Sequence, residues 1–137
     1  MDGITDCIYR TIVQEVFTKY TKDSSHQLRT WTEFMNADGY MINPPKLIKH
    51  LVINDSEKKT IAQIYGGNMD TLVKTAIDIE RKYPQYAGIE LNIGCPSPKV
   101  MACGAGSGML QDKENCLRII KAISESISMP FSIKTRA

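Results

Sequence analysis

Hydrophobic positions along this chain change period many times, and each change marks an element. Over residues 6–20, Ile8, Ile12, Val13, Val16, Phe17 and Tyr20 recur at helical spacing, with Asp6 placed to cap the start. WTEFMNA, 31–37, reads as a short strand, and PPKLIKHLV, 44–52, as a short helix opened by proline. TIAQIYGG, 60–67, reads as a strand closed by glycines. Asn68 or Asp70 then caps a helix carrying Leu72, Val73, Ala76 and Ile77, with Pro84 just past its end. GIELNIG, 88–94, is the next strand. Asp112 caps a helix with Leu117, Ile120, Ile123 and Ile127, and PFSIKTRA, 130–137, is a last strand. The polar stretch 21–30 reads as a surface loop.

Strands separated by helical segments imply βαβ units and a parallel sheet. Two architectures share that pattern: a (β/α)8 barrel and an open, doubly wound sheet. The strands separate them. Ala62 and Ile64 alternate with Gln63; Ile89, Leu91 and Ile93 with Glu90 and Asn92; Phe131 and Ile133 with Ser132, Lys134 and Arg136. A sheet covered by helices on both faces is apolar on both. Here each strand has one apolar and one polar side, as in a barrel whose interior opens onto a polar ligand site. Water-facing edge strands would also alternate, but three edges are too many for one small sheet. Four strands and four helices are about half of a barrel that typically needs about 250 residues. The expected fold is α/β, a partial TIM (β/α)8 barrel, as a single domain over residues 1–137. MDGITD begins like a loop leaving a strand, and PFSIKTRA like a strand awaiting its helix, so the expectation is the N-terminal half.

Composition narrows the class. Hydrophobic residues are 42% of the chain, enough for the core of one domain. A formal net charge of +2 argues against a strongly basic nucleic-acid-wrapping module, although a basic strip on one face fits within so small a total. No apolar run reaches 18 residues, and the N-terminus carries acids instead of a hydrophobic signal segment. The cysteines at 7, 95, 103 and 116 form no C-x-x-C pair and lie far from His26 and His50, which argues against zinc and against a disulfide framework. The expectation is a cytoplasmic protein with no membrane segment, no metal and reduced thiols.

Cys7 and Cys116 fall inside helical patterns and read as small core hydrophobes. Cys95 instead follows the C-terminal end of a strand, where parallel α/β folds place their active sites. Gly94 permits a tight turn there, and Pro96 and Pro98 stiffen the segment just beyond it. ACGAGSGML, 102–110, reads either as a ligand-wrapping glycine loop or as a flexible turn, and lacks the Gly-Lys-Ser/Thr of a phosphate loop. It carries Cys103, a rival for any role given to Cys95. Lys134 and Arg136 share the polar side of the last strand. They imply either a salt bridge to Glu90 or another inward acid, or an anionic ligand or developing charge. Gln63 offers an amide that both donates and accepts, as a flavin ring edge would require. His26, His50 and the charge run NDSEKK, 54–59, read as solvated surface.

MDGITD, TEFMNADG, AQIYGGN, GIELNIGCPSPKV with GAGSGML, and FSIKTRA occur in the order and spacing of the tRNA-dihydrouridine synthases. The chain resembles that family over almost its entire length. The resemblance implies an FMN-containing barrel, followed in the family by a small helical domain for tRNA. It also implies a reaction: NADPH reduces FMN, hydride passes to C6 of a tRNA uridine, and a cysteine thiol protonates C5. By resemblance, Cys95 is the proton donor, Asn92 and Arg136 bind substrate, and Met1, Gln63 and Lys134 contact the flavin. Free thiols have a pKa of about 8.5 and are protonated at neutral pH, so a cysteine acid needs no activation of the kind a nucleophile needs.

The Ala-Pro that usually precedes MDGITD is missing, as are the later strands and the helical domain. The fragment alone is therefore expected to bind FMN poorly, to lack turnover and to self-associate through open sheet edges. Two other readings compete. One is a different FMN barrel, such as a dihydroorotate dehydrogenase, and the other is a non-catalytic RNA-binding half-barrel.

Overall fold

The structure is a computed structural model that describes residues 3–22 and 26–136. Asp6 accepts from Tyr9 N and opens α1 (Cys7–Tyr20), as the pattern predicts. The strand expected at 31–37 is two pieces, β1 (Thr30–Trp31) and β2 (Met35–Asn36). Thr32 explains the break. Its N–H donates to Ile61 O, but its hydroxyl, in place of a backbone carbonyl, accepts from Gln63 N at 2.9 Å. The side chain takes over one rung of the ladder, and the backbone detours through residues 32–34.

Asn36 then caps a helix that the pattern did not announce, α2 (Ala37–Ile42), whose internal Gly39 weakens the helical signal. The proline-opened helix is α3 (Pro44–Leu47), which tightens into a 3-10 turn at Ile48–Leu51. The order continues with β3 (Thr60–Tyr65), α4 (Met69–Lys82) capped by Asn68, and β4 (Gly88–Asn92). After these come α5 (Pro98–Met101), a 3-10 turn at Gly106–Gln111, α6 (Lys113–Ser126) capped by Asp112, and β5 (Phe131–Lys134).

Every strand pair is parallel, in the order β1–β3–β4–β5, with β2 also on β3. This is the alternation of parallel strands and helices found in part of a (β/α)8 barrel. Ala62, Ile64, Ile89 and Leu91 bury one side of the sheet against Leu72, Ala76 and Ile79 of α4 and Ile119 and Ile123 of α6. Thr75 and Cys116 complete those helix faces, which shifts them off the expected stripe and leaves Ile77 and Leu117 exposed. The other side carries the polar rungs: Gln63 is in register with Glu90, Glu90 with Ser132, and Asn92 with Lys134. Among the described residues no helix is long and apolar enough to cross a membrane, and no cluster of His, Cys, Asp and Glu could hold a metal ion.

Two expectations, the solvated 54–59 run and the solvated His50, are overturned, and α1 adds a departure of its own. The apolar stripe of α1 does not face a core: Ile8 is 70% exposed, and Ile12, Val16 and Tyr20 are exposed too. The buried residue of α1 is Arg10, whose guanidinium lies 2.6 Å from Glu57. Glu57 is therefore not part of a solvated run. Its carboxylate turns inward, where Thr60 Oγ1 and Asn54 N also donate to it. Burial first, and then the Glu57 charge, push the Cys7 thiol pKa up. His50 is not solvated either: Nδ1 lies 3.3 Å from Glu33 Oε2, and its side chain is 14% exposed.

Candidate active site

The polar side of the sheet opens into a cavity of about 650 Å³. Gln63, Glu90, Asn92, Cys95, Lys134 and Arg136 all line it, as do α1 and the rings of Trp31 and Phe34. Five of the six residues named from the resemblance thus converge on one space. Met1, the sixth, lies outside the described residues. Cys103 does not join them. It is exposed, and its thiol donates to Lys99 O.

The orientations in this cavity follow from one constraint. A backbone N–H can only donate. Gly94 N and Cys95 N both point at the Asn92 side chain at 3.1 Å, so the atom they meet is Oδ1. Asn92 Nδ2 then donates to Gln63 Oε1 at 3.1 Å. That turns Gln63 Nε2 toward Glu90 Oε1, which accepts its hydrogen bond. Glu90 Oε2 accepts from Trp31 Nε1 at 3.0 Å and from Ser132 Oγ at 3.4 Å. A carboxylate on β4 therefore fixes an amide on β3, which fixes an amide at the end of β4, which fixes the backbone of Cys95. Gln63, Glu90 and Asn92 are all buried, so each link acts at reduced dielectric.

Cys95 is held from behind as well. Its carbonyl accepts from Ser107 N at 2.9 Å and from Ser107 Oγ at 3.0 Å. The glycine segment therefore buttresses the Cys95 turn. Gly106 has φ +56, and a Cβ there would sit 2.6 Å from the Cys95 carbonyl oxygen, so only glycine lets the two backbones meet. Lys134 and Arg136 make no ion pair among the described residues, with Glu90 or otherwise. Both are exposed cations on the cavity wall.

The chain matches the dihydrouridine synthase (Dus) family along residues 1–137. The chain belongs to that family. It is 30% identical over 139 residues to a probable tRNA-dihydrouridine synthase of Staphylococcus epidermidis, covering 99% of this chain and 39% of the relative. A probable tRNA-dihydrouridine synthase of Helicobacter pylori is 31% identical over 135 residues, covering 98% and 38%. One of Staphylococcus aureus is 28% identical over 142 residues, covering 99% and 39%. The chain thus spans about two fifths of the length of these relatives.

Trp31 and Ser107 are site residues that sequence reasoning missed, and Glu90, weighed there only as a salt-bridge partner, holds Gln63, Trp31 and Ser132 instead. Register alone could have placed Glu90 beside Gln63; nothing local points to Ser107. Glu90 gives a direct prediction. Glu90→Ala leaves the donors of Gln63 and Trp31 without their partner and is expected to destabilise the chain by about 1–3 kcal/mol. Glu90→Gln, which keeps a carbonyl acceptor, is expected to recover most of that loss. Trp31 is the only tryptophan, so its fluorescence during urea unfolding reports both midpoints. Equal losses in the two variants would show that the carboxylate does not organise the amides.

Proposed function

We propose that this chain forms the flavin and uridine site of a tRNA-dihydrouridine synthase, which reduces the C5–C6 double bond of a tRNA uridine with NADPH as the electron source. The observation that carries the reading is the convergence of Gln63, Asn92, Cys95, Lys134 and Arg136 on one cavity in a chain of this family. A tRNA substrate implies a cytoplasmic setting.

The cavity suits FMN. Its volume lies in the range of small-molecule sites, and it sets the rings of Trp31 and Phe34 beside polar groups that can orient a ligand. Gln63 Nε2 and Oε1 are each used once within the relay, which leaves one hydrogen and one lone pair for a ring edge that alternates C=O and N–H. Gln63 and Lys134 would hold the group, with Met1 a further contact by resemblance. When bound, FMN supplies the hydride to C6 of the uracil.

The chain's own residues do the rest. The Cys95 thiol donates its proton to C5, so the ring gains one hydride and one proton across the double bond, and the thiolate regains its proton from solvent. Asn92 fixes the Cys95 backbone and keeps its second amide hydrogen for a base carbonyl. Lys134 and Arg136 put positive charge where electron density rises and where an RNA phosphate approaches. The uracil must leave its stack to reach this wall.

A chimaera in which residues 1–137 replace the matching part of the Staphylococcus epidermidis relative tests the reading. After reduction by NADPH it should be oxidised by unmodified tRNA and not by orotate, with dihydrouridine detected by mass spectrometry. Oxidation by orotate alone would favour a dihydroorotate dehydrogenase instead. The 137-residue chain by itself is expected to show less than stoichiometric flavin absorbance. It is also expected to sediment above monomer mass, because Ile8, Ile12 and Val16 of α1 and the outer side of β5 lack partners among the described residues.

A further inference from the structure

A second cavity, of about 440 Å³, lies beside the first at the C-terminal ends of the strands. We propose that it binds the nucleotide next to the reacting uridine, with the base on Phe34 and Tyr65 and the phosphate at Ser97 and Lys99. The inference rests on the tRNA reading above and adds to it a second nucleotide subsite.

Three observations carry it. The first is position. Phe34 lines both cavities, and the turn that presents Cys95 continues directly into Ser97 and Lys99 of the second. Consecutive Cα atoms are about 3.8 Å apart, so Ser97 lies within about 7.6 Å of Cys95. An RNA strand that delivers a uracil to Cys95 must pass over this turn, and its next nucleotide falls within reach.

The second is chemistry. The Phe34 and Tyr65 rings pack edge to face with centroids 4.7 Å apart, giving an aromatic wall. Among the described residues Lys99 is exposed and makes no ion pair, and Ser97 is half-buried with its hydroxyl in no hydrogen bond. An aromatic wall next to a cation and a hydroxyl suits a base and its phosphate. Stacking of one base is worth about 1–3 kcal/mol and accepts any base.

The third is rigidity. Glu33 ties His50, on one wall of this cavity, to the N-terminal segment: Oε2 meets His50 Nδ1 and Oε1 accepts from Gly3 N. Neither contact is needed to place Cys95. A nicotinamide dinucleotide has the same chemical parts, but it has no chain that must cross the 95–99 turn.

The test is binding to the 15N-labelled chimaera freed of flavin, followed by amide resonances, with UMP, the dinucleotide UpU and NADPH as probes. UpU is expected to move the Tyr65, Ser97 and Lys99 signals and to bind about fivefold or more tighter than UMP, the lower end of the stacking range. Lys99→Ala, an exposed change, is expected to remove that gain and leave UMP binding unaltered. The inference is overturned if UpU leaves those three signals unmoved, if Lys99→Ala binds UpU as the parent does, or if NADPH moves them and UpU does not. This readout needs neither flavin nor turnover. Reduction of tRNA by the chimaera without a UpU response sinks the subsite alone, and a UpU response without tRNA reduction sinks the enzymatic reading alone.

Discussion

Cys95→Ala in the chimaera is expected to slow oxidation by tRNA about 100- to 10,000-fold, the range for loss of a positioned proton donor, while reduction by NADPH keeps its rate. The split follows from geometry. The relay from Glu90 through Gln63 and Asn92 ends on the backbone N–H of Cys95, and Ser107 holds its carbonyl. An alanine leaves both anchors in place, so the cavity proposed to receive flavin is unchanged and only the thiol is lost. Cys103→Ala is the matched control. Its thiol faces Lys99 O outside the cavity, and both half-reactions are expected to stay within about twofold of the parent. Stopped-flow absorbance of the flavin, taken separately with NADPH and with tRNA, measures each half. Loss of the tRNA half in Cys103→Ala but not in Cys95→Ala would transfer the proton-donor role.

The site was legible because parallel strands repeat every two residues. Gln63, Glu90, Asn92, Lys134 and Arg136 interrupt apolar runs on one parity, which sends them to one side of the sheet whatever the exact register. The position of Cys95 at the end of β4 needed only the rule that parallel sheets react at their carboxyl ends. What stayed hidden depended on partners far away in sequence. The break at Thr32 exists because its hydroxyl meets Gln63 N, 31 residues on. The buttressing role of the glycines at 106 and 108 does not show until Ser107 is seen against Cys95. His50 and Glu57 sit in lysine-rich surroundings that suggest solvent, yet each faces one buried, oppositely charged or ionisable group. Periodicity places a side chain on a face; it does not say which single charge has a partner waiting.

That limit is sharpest at α1, where it leads to the largest stability effect expected in this chain. Glu57→Ala should destabilise it by about 3–5 kcal/mol, because it strands a buried guanidinium without its counter-charge. Domains of this kind have only about 5–15 kcal/mol in total. Arg10 is 2% exposed and the Glu57 side chain is fully buried. Arg10 also donates to Thr5 O and to Val52 O, so one side chain ties α1 to its own N-terminal loop and to the segment before β3. Because Arg10 lines the cavity, losing that tie should loosen one wall of it along with the helix. Replacing both partners with apolar residues, Arg10→Met with Glu57→Leu, is expected to recover much of the loss, since no unpaired charge remains. Ile12→Ser is the opposite control. Ile12 is 55% exposed, and its change should stay within about 0.5 kcal/mol. Urea midpoints for the four proteins rank the effects. If Ile12→Ser costs more than Glu57→Ala, α1 is docked by its apolar stripe after all, and the ion pair is a passenger.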